Sequence, residues 1–88
     1  MKTVYKYLLK ITDEQSLQMP IGAGILHVAI DPQGDLALWA LVDTSQPSQT
    51  RRFAVFGTGN PVDGPLEQHI GTVVIGRGVW HIFERPTI

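Results

Sequence analysis

The sequence contains no cysteine, which excludes disulfide bonds as a way of stabilising so short a chain. It also lacks an apolar run near the roughly 18 residues that a membrane-spanning helix needs. Its three histidines, His27, His69 and His81, are scattered and show neither the HxH nor the HxxxH spacing of a zinc site. We therefore expect no disulfide, membrane contact, bound metal or cofactor, and stabilisation by a packed core or by self-association.

Charged residues are few and nearly balanced, with 7 Lys and Arg against 8 Asp and Glu and a net charge of −1. Proteins that bind duplex DNA normally carry a basic face and a high pI, so a pI of about 6.2 argues against a duplex nucleic-acid partner. The first residues, Met1–Tyr7, lack the apolar stretch of a signal peptide, and the lack of cysteine fits a reducing cytoplasm. The length of 88 residues and the hydrophobic content of 43% predict one soluble domain, residues 1–88.

Alternation of apolar and polar residues dominates the chain, and no segment shows a convincing helical period of 3.6 residues. The alternating segments predict strands over residues 3–12, 16–20, 25–30, 36–42, 51–56, 70–75 and 79–84. The stretch Leu36–Val42 is apolar on both faces, which predicts burial of both faces, the second one against another subunit. Residues 62–70 look irregular, with one helical turn expected near Leu66–His69.

Short turns rich in proline and glycine join these segments. Asp31-Pro32-Gln33-Gly34-Asp35 predicts the clearest hairpin, in which we expect Asp31 and Asp35 to cap the turn. Gly76-Arg77-Gly78 predicts a second hairpin near the C-terminus. The fold class that follows is all-β, a compact small sandwich or open barrel of about six mostly antiparallel strands.

One predicted strand begins with two arginines and ends in a glycine-rich loop, in the segment Arg51-Arg52-Phe53-Ala54-Val55-Phe56-Gly57-Thr58-Gly59-Asn60-Pro61. Gly57 and Gly59 permit a tight turn whose backbone N–H groups remain accessible to an anion. Thr58 and Asn60 supply a hydroxyl and an amide that suit a phosphate oxygen or a base edge. The loop therefore predicts a nucleotide-binding site, although the same residues also describe an ordinary tight turn at a strand end.

The two arginines differ in the face that each presents. Arg52 shares its face with Phe56 and leads toward the loop, whereas Arg51 lies on the core side and can turn out to solvent at the strand start. Because a guanidinium can donate a bidentate pair of hydrogen bonds to a phosphate, we predict a stronger ligand contact from Arg52 than from Arg51. The alternative is a surface ion pair between Arg52 and an acid such as Glu67 or Glu84.

The tryptophans and histidines in the predicted strands are candidates for both structural and binding roles. Trp80 can stack on a base, and a strand tryptophan is also a common core or interface residue; we include it among the ligand contacts and expect Trp39 in the core. His27 and His81 have no nucleophile or carboxylate that the sequence places beside them, so we expect structural roles. With no serine or cysteine signature present, we expect no enzyme activity.

Several stretches together are similar to a known family. They are Val4-Tyr5-Lys6-Tyr7, Gln18-Met19-Pro20 with Gly22-Ala23, Leu38-Trp39-Ala40-Leu41-Val42-Asp43, Arg51-Arg52-Phe53 running into Phe56-Gly57-Thr58-Gly59, Ile70-Gly71-Thr72, and Val79-Trp80-His81-Ile82-Phe83-Glu84. The sequence resembles, over nearly its whole length, a family of small bacteriophage and prophage proteins that form a domain of unknown function. The tryptophan strand together with the arginine-to-glycine segment is the most specific part of the resemblance.

The resemblance implies an anti-CBASS sponge, a phage protein that binds the cyclic oligonucleotides of bacterial defence without cleaving them. Its location would be the cytoplasm of the infected bacterial host. Because a domain this small gains affinity most readily by enclosing a ligand between subunits, we expect a homo-oligomer with the ligand at its interface. The alternative is a phage accessory or structural module that works through protein contacts, which two-sided apolar strands and exposed edges suit equally well.

Overall fold

Seven antiparallel strands form two sheets in the computed structural model, which describes residues 1–87. The strands are β1 (Lys2–Leu8), β2 (Gln15–Pro20), β3 (Gly24–Ile30), β4 (Leu36–Asp43), β5 (Ser48–Gly57), β6 (Gln68–Ile75) and β7 (Gly78–Arg85). Sheet A has the order β1-β4-β3, and sheet B has the order β2-β5-β7-β6. The sheets do not close into a barrel, so the all-β prediction is confirmed in its sandwich form.

The inner faces of the two sheets form one hydrophobic core. Sheet A contributes alternate residues of β4, and sheet B contributes Phe53 and Val55 of β5 and Ile82 of β7. The sheets also approach each other along β3 and β6, where a Cβ atom added to Gly71 would lie 2.6 Å from Cγ1 of Val28. Gly71 therefore permits a contact between strands that any larger side chain would push apart.

The strand β4 shows the alternation that the sequence predicts. Leu36, Leu38, Ala40 and Val42 belong to the core, while Ala37, Trp39 and Leu41 lie on the opposite, outer face. Both sets are apolar, but Leu41 remains 43% exposed and Trp39 is half-buried. Within one chain the second face of β4 is therefore only partly covered.

Three strand boundaries differ from the prediction by two residues or more. The first strand ends at Leu8, and β5 begins at Ser48 rather than at Arg51. The helical turn near Leu66–His69 is wrong, because residues 1–87 contain no helix and Gln68 and His69 open β6. The backbone N–H of Glu67 donates to the carbonyl of Glu84 over 2.9 Å, so pairing with β7 replaces a local helical hydrogen bond. Residues 1–87 accordingly contain no helix that could cross a membrane.

Part of the outer face of sheet B, around Phe56 and Arg85, is covered by the chain itself. The guanidinium of Arg85 donates to the carbonyl of Asp13 over 3.2 and 3.0 Å and to that of Pro65 over 3.0 Å. It also lies over the ring of Phe56, 5.6 Å from the centroid. Arg85 is only 4% exposed and thereby ties two irregular segments, residues 9–14 and 61–67, to this face.

The turn between β3 and β4 is capped by Asp31. Its Oδ1 accepts hydrogen bonds from the backbone N–H groups of Gln33 and Asp35 at 3.0 and 2.8 Å, and its Oδ2 accepts one from Nζ of Lys6 at 2.8 Å. The prediction that this residue caps the turn is confirmed. The bond from Lys6, followed by the backbone bonds, holds the pKa of the Asp31 carboxyl below its usual value.

Candidate functional site

The glycine-rich loop after β5 is a tight turn docked on β7. Gly59 has a φ of 86°, a conformation that residues with a side chain adopt rarely. The N–H of Asn60 donates to the carbonyl of Gly57 over 3.0 Å, and the N–H of Thr58 donates to that of Val79 over 3.1 Å. The loop is therefore held by its own turn and by the neighbouring strand.

A cleft of about 340 Å³ opens beside this loop. We name it the GTGN cleft, and its lining consists of Gly57, Thr58, Asn60, Arg77, Gly78, Val79 and Trp80. The structure thus brings four of the predicted site residues together, Gly57, Thr58, Asn60 and Trp80, with Gly59 at the tip of the same turn. The volume lies at the small end of the range of about 300–1,000 Å³ that ligand pockets show.

Trp80 is both a core residue and part of the cleft lining. It is half-buried and packs against the hydrophobic core. Its indole passes close to two glycines: a Cβ atom at Gly57 would lie 3.1 Å from Cζ3, and one at Gly78 would lie 2.8 Å from Nε1. The two glycines therefore leave room for the indole, whose position a side chain at either site would disturb.

The arginine at the cleft is Arg77, for which the sequence predicts only a place in a turn. It is exposed at the tip of the β6–β7 hairpin and shares the cleft with Asn60 and Trp80. The usable sign in the sequence was its place between two glycines, close before Trp80. The pairing of β5 with β7, which sets this hairpin beside the loop, is nonlocal and could not be inferred from it.

His81 connects the loop to the outer face of sheet B. Its Nε2 lies 2.7 Å from Oγ1 of Thr58, and its Nδ1 lies 3.0 Å from Oγ1 of Thr72. The same Thr72 hydroxyl lies 3.2 Å from Nε2 of His69. A hydroxyl can donate and accept at once. The contacts from His69 through Thr72 and His81 therefore fix the orientation of the Thr58 hydroxyl. Sequence reasoning missed this role for His81, since Thr58 and Thr72 lie on other elements.

Arg52 lies away from the GTGN cleft. Its Nη2 donates to Oε1 of Glu14 over 2.7 Å, and its Nη1 lies 3.4 Å from the carbonyl oxygen of Pro86. The side chain is 32% exposed and shares the outer face of sheet B with Phe56, the register that the sequence predicts. It forms a surface ion pair, but with Glu14 rather than with Glu67 or Glu84.

Arg51 does not turn out to solvent. Its side chain is 14% exposed and forms a bidentate ion pair with Glu84, with Nε–Oε2 and Nη2–Oε1 distances of 2.7 and 2.8 Å. Donation to Glu84 raises the pKa of the Arg51 guanidinium further above its usual value. Arg51 lines a different cleft from the glycine-rich loop, so the two arginines and the loop do not form one site.

Residues 1–87 bring no three His, Cys, Asp or Glu side chains close enough together to hold a metal ion. In a comparison with known protein families, residues 1–87 match a family model described as a domain of unknown function, DUF7352. No curated protein and no solved structure matches the chain.

Proposed function

We propose that this chain, which belongs to the DUF7352 family, binds a cyclic oligonucleotide second messenger and sequesters it without cleaving it. In this proposal it is a phage-encoded anti-CBASS protein that acts in the cytoplasm of the infected bacterial host. The observation that carries the proposal is the GTGN cleft, where an indole, a guanidinium and a glycine-rich turn meet.

Each part of the cleft suits a different part of a nucleotide. Trp80 is half-buried and lines the cleft, and its indole is an aromatic ring on which a base can stack, a contact worth about 1–3 kcal/mol per base. Arg77 can donate a bidentate pair of hydrogen bonds to a phosphate. The Thr58 hydroxyl and the Asn60 amide can bond to a phosphate oxygen or a base edge.

The size of the cleft favours a shared site. A volume of about 340 Å³ is small for a ligand of two or three nucleotides, so a second copy of the chain would have to enclose the remainder. The outer face of sheet A, where Val4, Leu8 and Leu41 are 49%, 54% and 43% exposed, supports self-association through a contact of its own, separate from the cleft on sheet B. We therefore include a homo-oligomer, with the ligand at its interface, in the proposal.

The test is a binding assay with a panel of cyclic di- and trinucleotides, followed by denaturation and mass analysis of the recovered ligand. We expect at least one member to bind tightly, with a Kd near 1 nM corresponding to about −12 kcal/mol, and to be recovered intact. A ratio of one ligand to two or more chains would support the shared site. Binding to no member of the panel would overturn the proposal, and recovery of a cleaved product would make the protein an enzyme.

Two arginine variants locate the site. Arg77→Ala should weaken binding about tenfold to a hundredfold, since a hydrogen bond to a charged group contributes about 1.5–3 kcal/mol. Arg52→Ala is the matched control, because it removes a guanidinium that lies outside the GTGN cleft and is paired with Glu14. A larger loss from Arg52→Ala would instead support the contact that the sequence predicted.

A second function, of a different class, is favoured by the outer face of sheet A. Exposed apolar side chains on a three-stranded sheet also suit a phage accessory or structural module that binds another protein. This alternative predicts that the purified chain binds one specific virion or host protein and no cyclic nucleotide. Substituting Leu41 by Lys would then abolish that interaction, whereas Arg77→Ala would leave it unchanged.

A further inference from the structure

A second cleft, of about 220 Å³, lies on the inner side of sheet B at the other end of β5 and β7. Arg51 and Glu84 belong to its lining, together with Gln68 of β6 and the β3 segment around Leu26. It shares no lining residue with the GTGN cleft. Any ligand of this second cleft is therefore independent of the function proposed above.

Both irregularities of the strand pairing lie at this cleft, which we name the bulge cleft. The pairing of β3 with β4 shifts at Leu26, and the pairing of β6 with β7 shifts at Ile70. Leu26 and Ile70 both line the cleft. Bulges redirect side chains and are frequent beside functional sites, and here two of them supply apolar walls to one cleft.

The ion pair between Arg51 and Glu84 provides polar groups for a ligand in this cleft. Arg51 uses three of its five N–H groups, two toward Glu84 and one toward the carbonyl of Ala23, and the other two make no hydrogen bond to residues 1–87. Each oxygen of the Glu84 carboxylate accepts one of these bonds and retains a second lone pair. The ion pair that lines the cleft therefore retains unused donors beside unused acceptors.

The charges of this pair decide which ligand fits. An anion would be attracted by Arg51 and repelled by Glu84 at nearly the same distance, so the two terms largely cancel. A neutral edge with a ring N–H next to a carbonyl matches both, with the N–H donating to Glu84 and the carbonyl accepting from Arg51. We infer that the bulge cleft binds a neutral planar heterocycle through such a lactam edge, as found in uracil and hypoxanthine, with Leu26 and Ile70 contacting the ring. A cleft of about 220 Å³ suits one ring system rather than a whole nucleotide.

The test is an NMR titration of the isotope-labelled protein with uridine and, in parallel, with 3-methyluridine. The methyl group replaces the ring N–H and leaves the carbonyls and the sugar in place, so the comparison tests whether the edge that carries the proposed donor makes the contact. We expect uridine to shift the backbone resonances of Gly24, Leu26 and Ile70 with a Kd of about 1 mM or lower. Its affinity should exceed that of 3-methyluridine at least tenfold. Inosine should behave like uridine.

Two carboxylate variants and one wall variant complete the test. Glu84→Gln should weaken uridine binding about tenfold, whereas Glu14→Gln, the matched control on the exposed ion pair with Arg52, should leave it unchanged. Because Glu84→Gln breaks a half-buried pair and can disturb the fold, Leu26→Ala provides a second measurement. Leu26 is 56% exposed, so its truncation should spare the fold and weaken binding about threefold.

Three results would overturn the inference. They are no resonance shifts at millimolar uridine, equal shifts with uridine and 3-methyluridine, or shifts centred on Trp80 that disappear in Arg77→Ala. The last result would place uridine in the GTGN cleft and would support the cyclic-oligonucleotide proposal. Failure at the bulge cleft alone would leave that proposal unaffected, because the two clefts have separate variants.

Discussion

The outer faces of the two sheets differ in how far segments of the chain cover them. On sheet B, Ala54 and Phe56 are 0% and 5% exposed because Arg85 and the irregular segments cover them. On sheet A, Val4, Leu8 and Leu41 are each more than 40% exposed, and no segment of residues 1–87 shields them to the same extent. A small domain can thus complete one half of its packing with its own loops and leave the other apolar half for a partner.

The largest effect should come from removing Arg85, which attaches residues 9–14 and 61–67 to the outer face of sheet B. Arg85→Ala deletes three hydrogen bonds to backbone carbonyls and the contact with Phe56 in a nearly buried setting, which should lower the free energy of unfolding by about 3 kcal/mol. Urea denaturation would measure this. Arg77 is an exposed arginine of the hairpin turn, and Arg77→Ala should change the free energy of unfolding by less than about 0.5 kcal/mol. Equal losses in both variants would show that Arg85 does not hold these segments on sheet B.

A smaller effect should follow from Gly64→Ala, which changes a residue of the segment 61–67 that covers part of sheet B. Gly64 has a φ of 81°, and its added Cβ would lie 2.8 Å from Nη1 of Arg85. Gly34 has a φ of 88° with nothing within 4 Å of the added Cβ, so Gly34→Ala measures the backbone strain alone. We expect about 1 kcal/mol for Gly34→Ala and about twice that for Gly64→Ala. Identical losses would mean that the contact with Arg85 adjusts without cost.

Acid should weaken the cap of the β3–β4 turn more than the attachments made by Arg85, because those attachments are bonds to backbone carbonyls, which do not titrate. On sheet A, the lowered pKa of Asp31 means that its stabilising contribution is complete above the unfolded value, near 3.9, and is lost as the pH falls through the lower folded value. The temperature of thermal unfolding should therefore fall below about pH 4. In Asp31→Asn this acid dependence should be shallower, although Glu14 and Asp43, whose pKa values are also lowered, will retain part of it. An unchanged profile would show that the contact between Lys6 and Asp31 adds nothing.

The smallest effect on folding is expected from a substitution on the exposed outer face of sheet A, the open face, which includes Val4, Leu8 and Leu41. Leu41→Lys should change the free energy of unfolding by less than about 0.5 kcal/mol, while shifting the mass measured by light scattering toward the monomer. Val74→Lys is the matched control, because Val74 is an apolar residue of sheet B with 65% exposure. If both variants keep the same mass as the parent chain, the open face of sheet A does not mediate self-association.

Local pattern predicted the strands well, because the period of two depends only on neighbours in sequence. It correctly assigned the two faces of β4 and the Asp31 cap, whose partners lie within four residues. The partners of Arg51 and Arg52 are 33 and 38 residues away along the chain, at Glu84 and Glu14, and depend on a strand order that alternation does not contain.

The candidate site shows the same limit. The loop from Gly57 to Asn60 was predictable as a turn, since glycine and asparagine are typical turn residues. Arg77 and His81 join it only because β7 pairs with β5 across more than 20 positions of sequence. Which arginine faces the loop is therefore a property of the topology.

The chain has two tryptophans, and the structure gives each of them a different location. Trp39 lies on the open face of sheet A, with its ring 6.4 Å from that of His27, and Trp80 lies between the glycines of the GTGN cleft. Indole emission depends on contact with water and with quenching groups, so the molecule carries its own optical reporters. In a Trp39→Phe variant, emission would come from the cleft alone, and in a Trp80→Phe variant from the open face. Ligand entry and subunit association could then be followed as separate optical signals, without an attached dye.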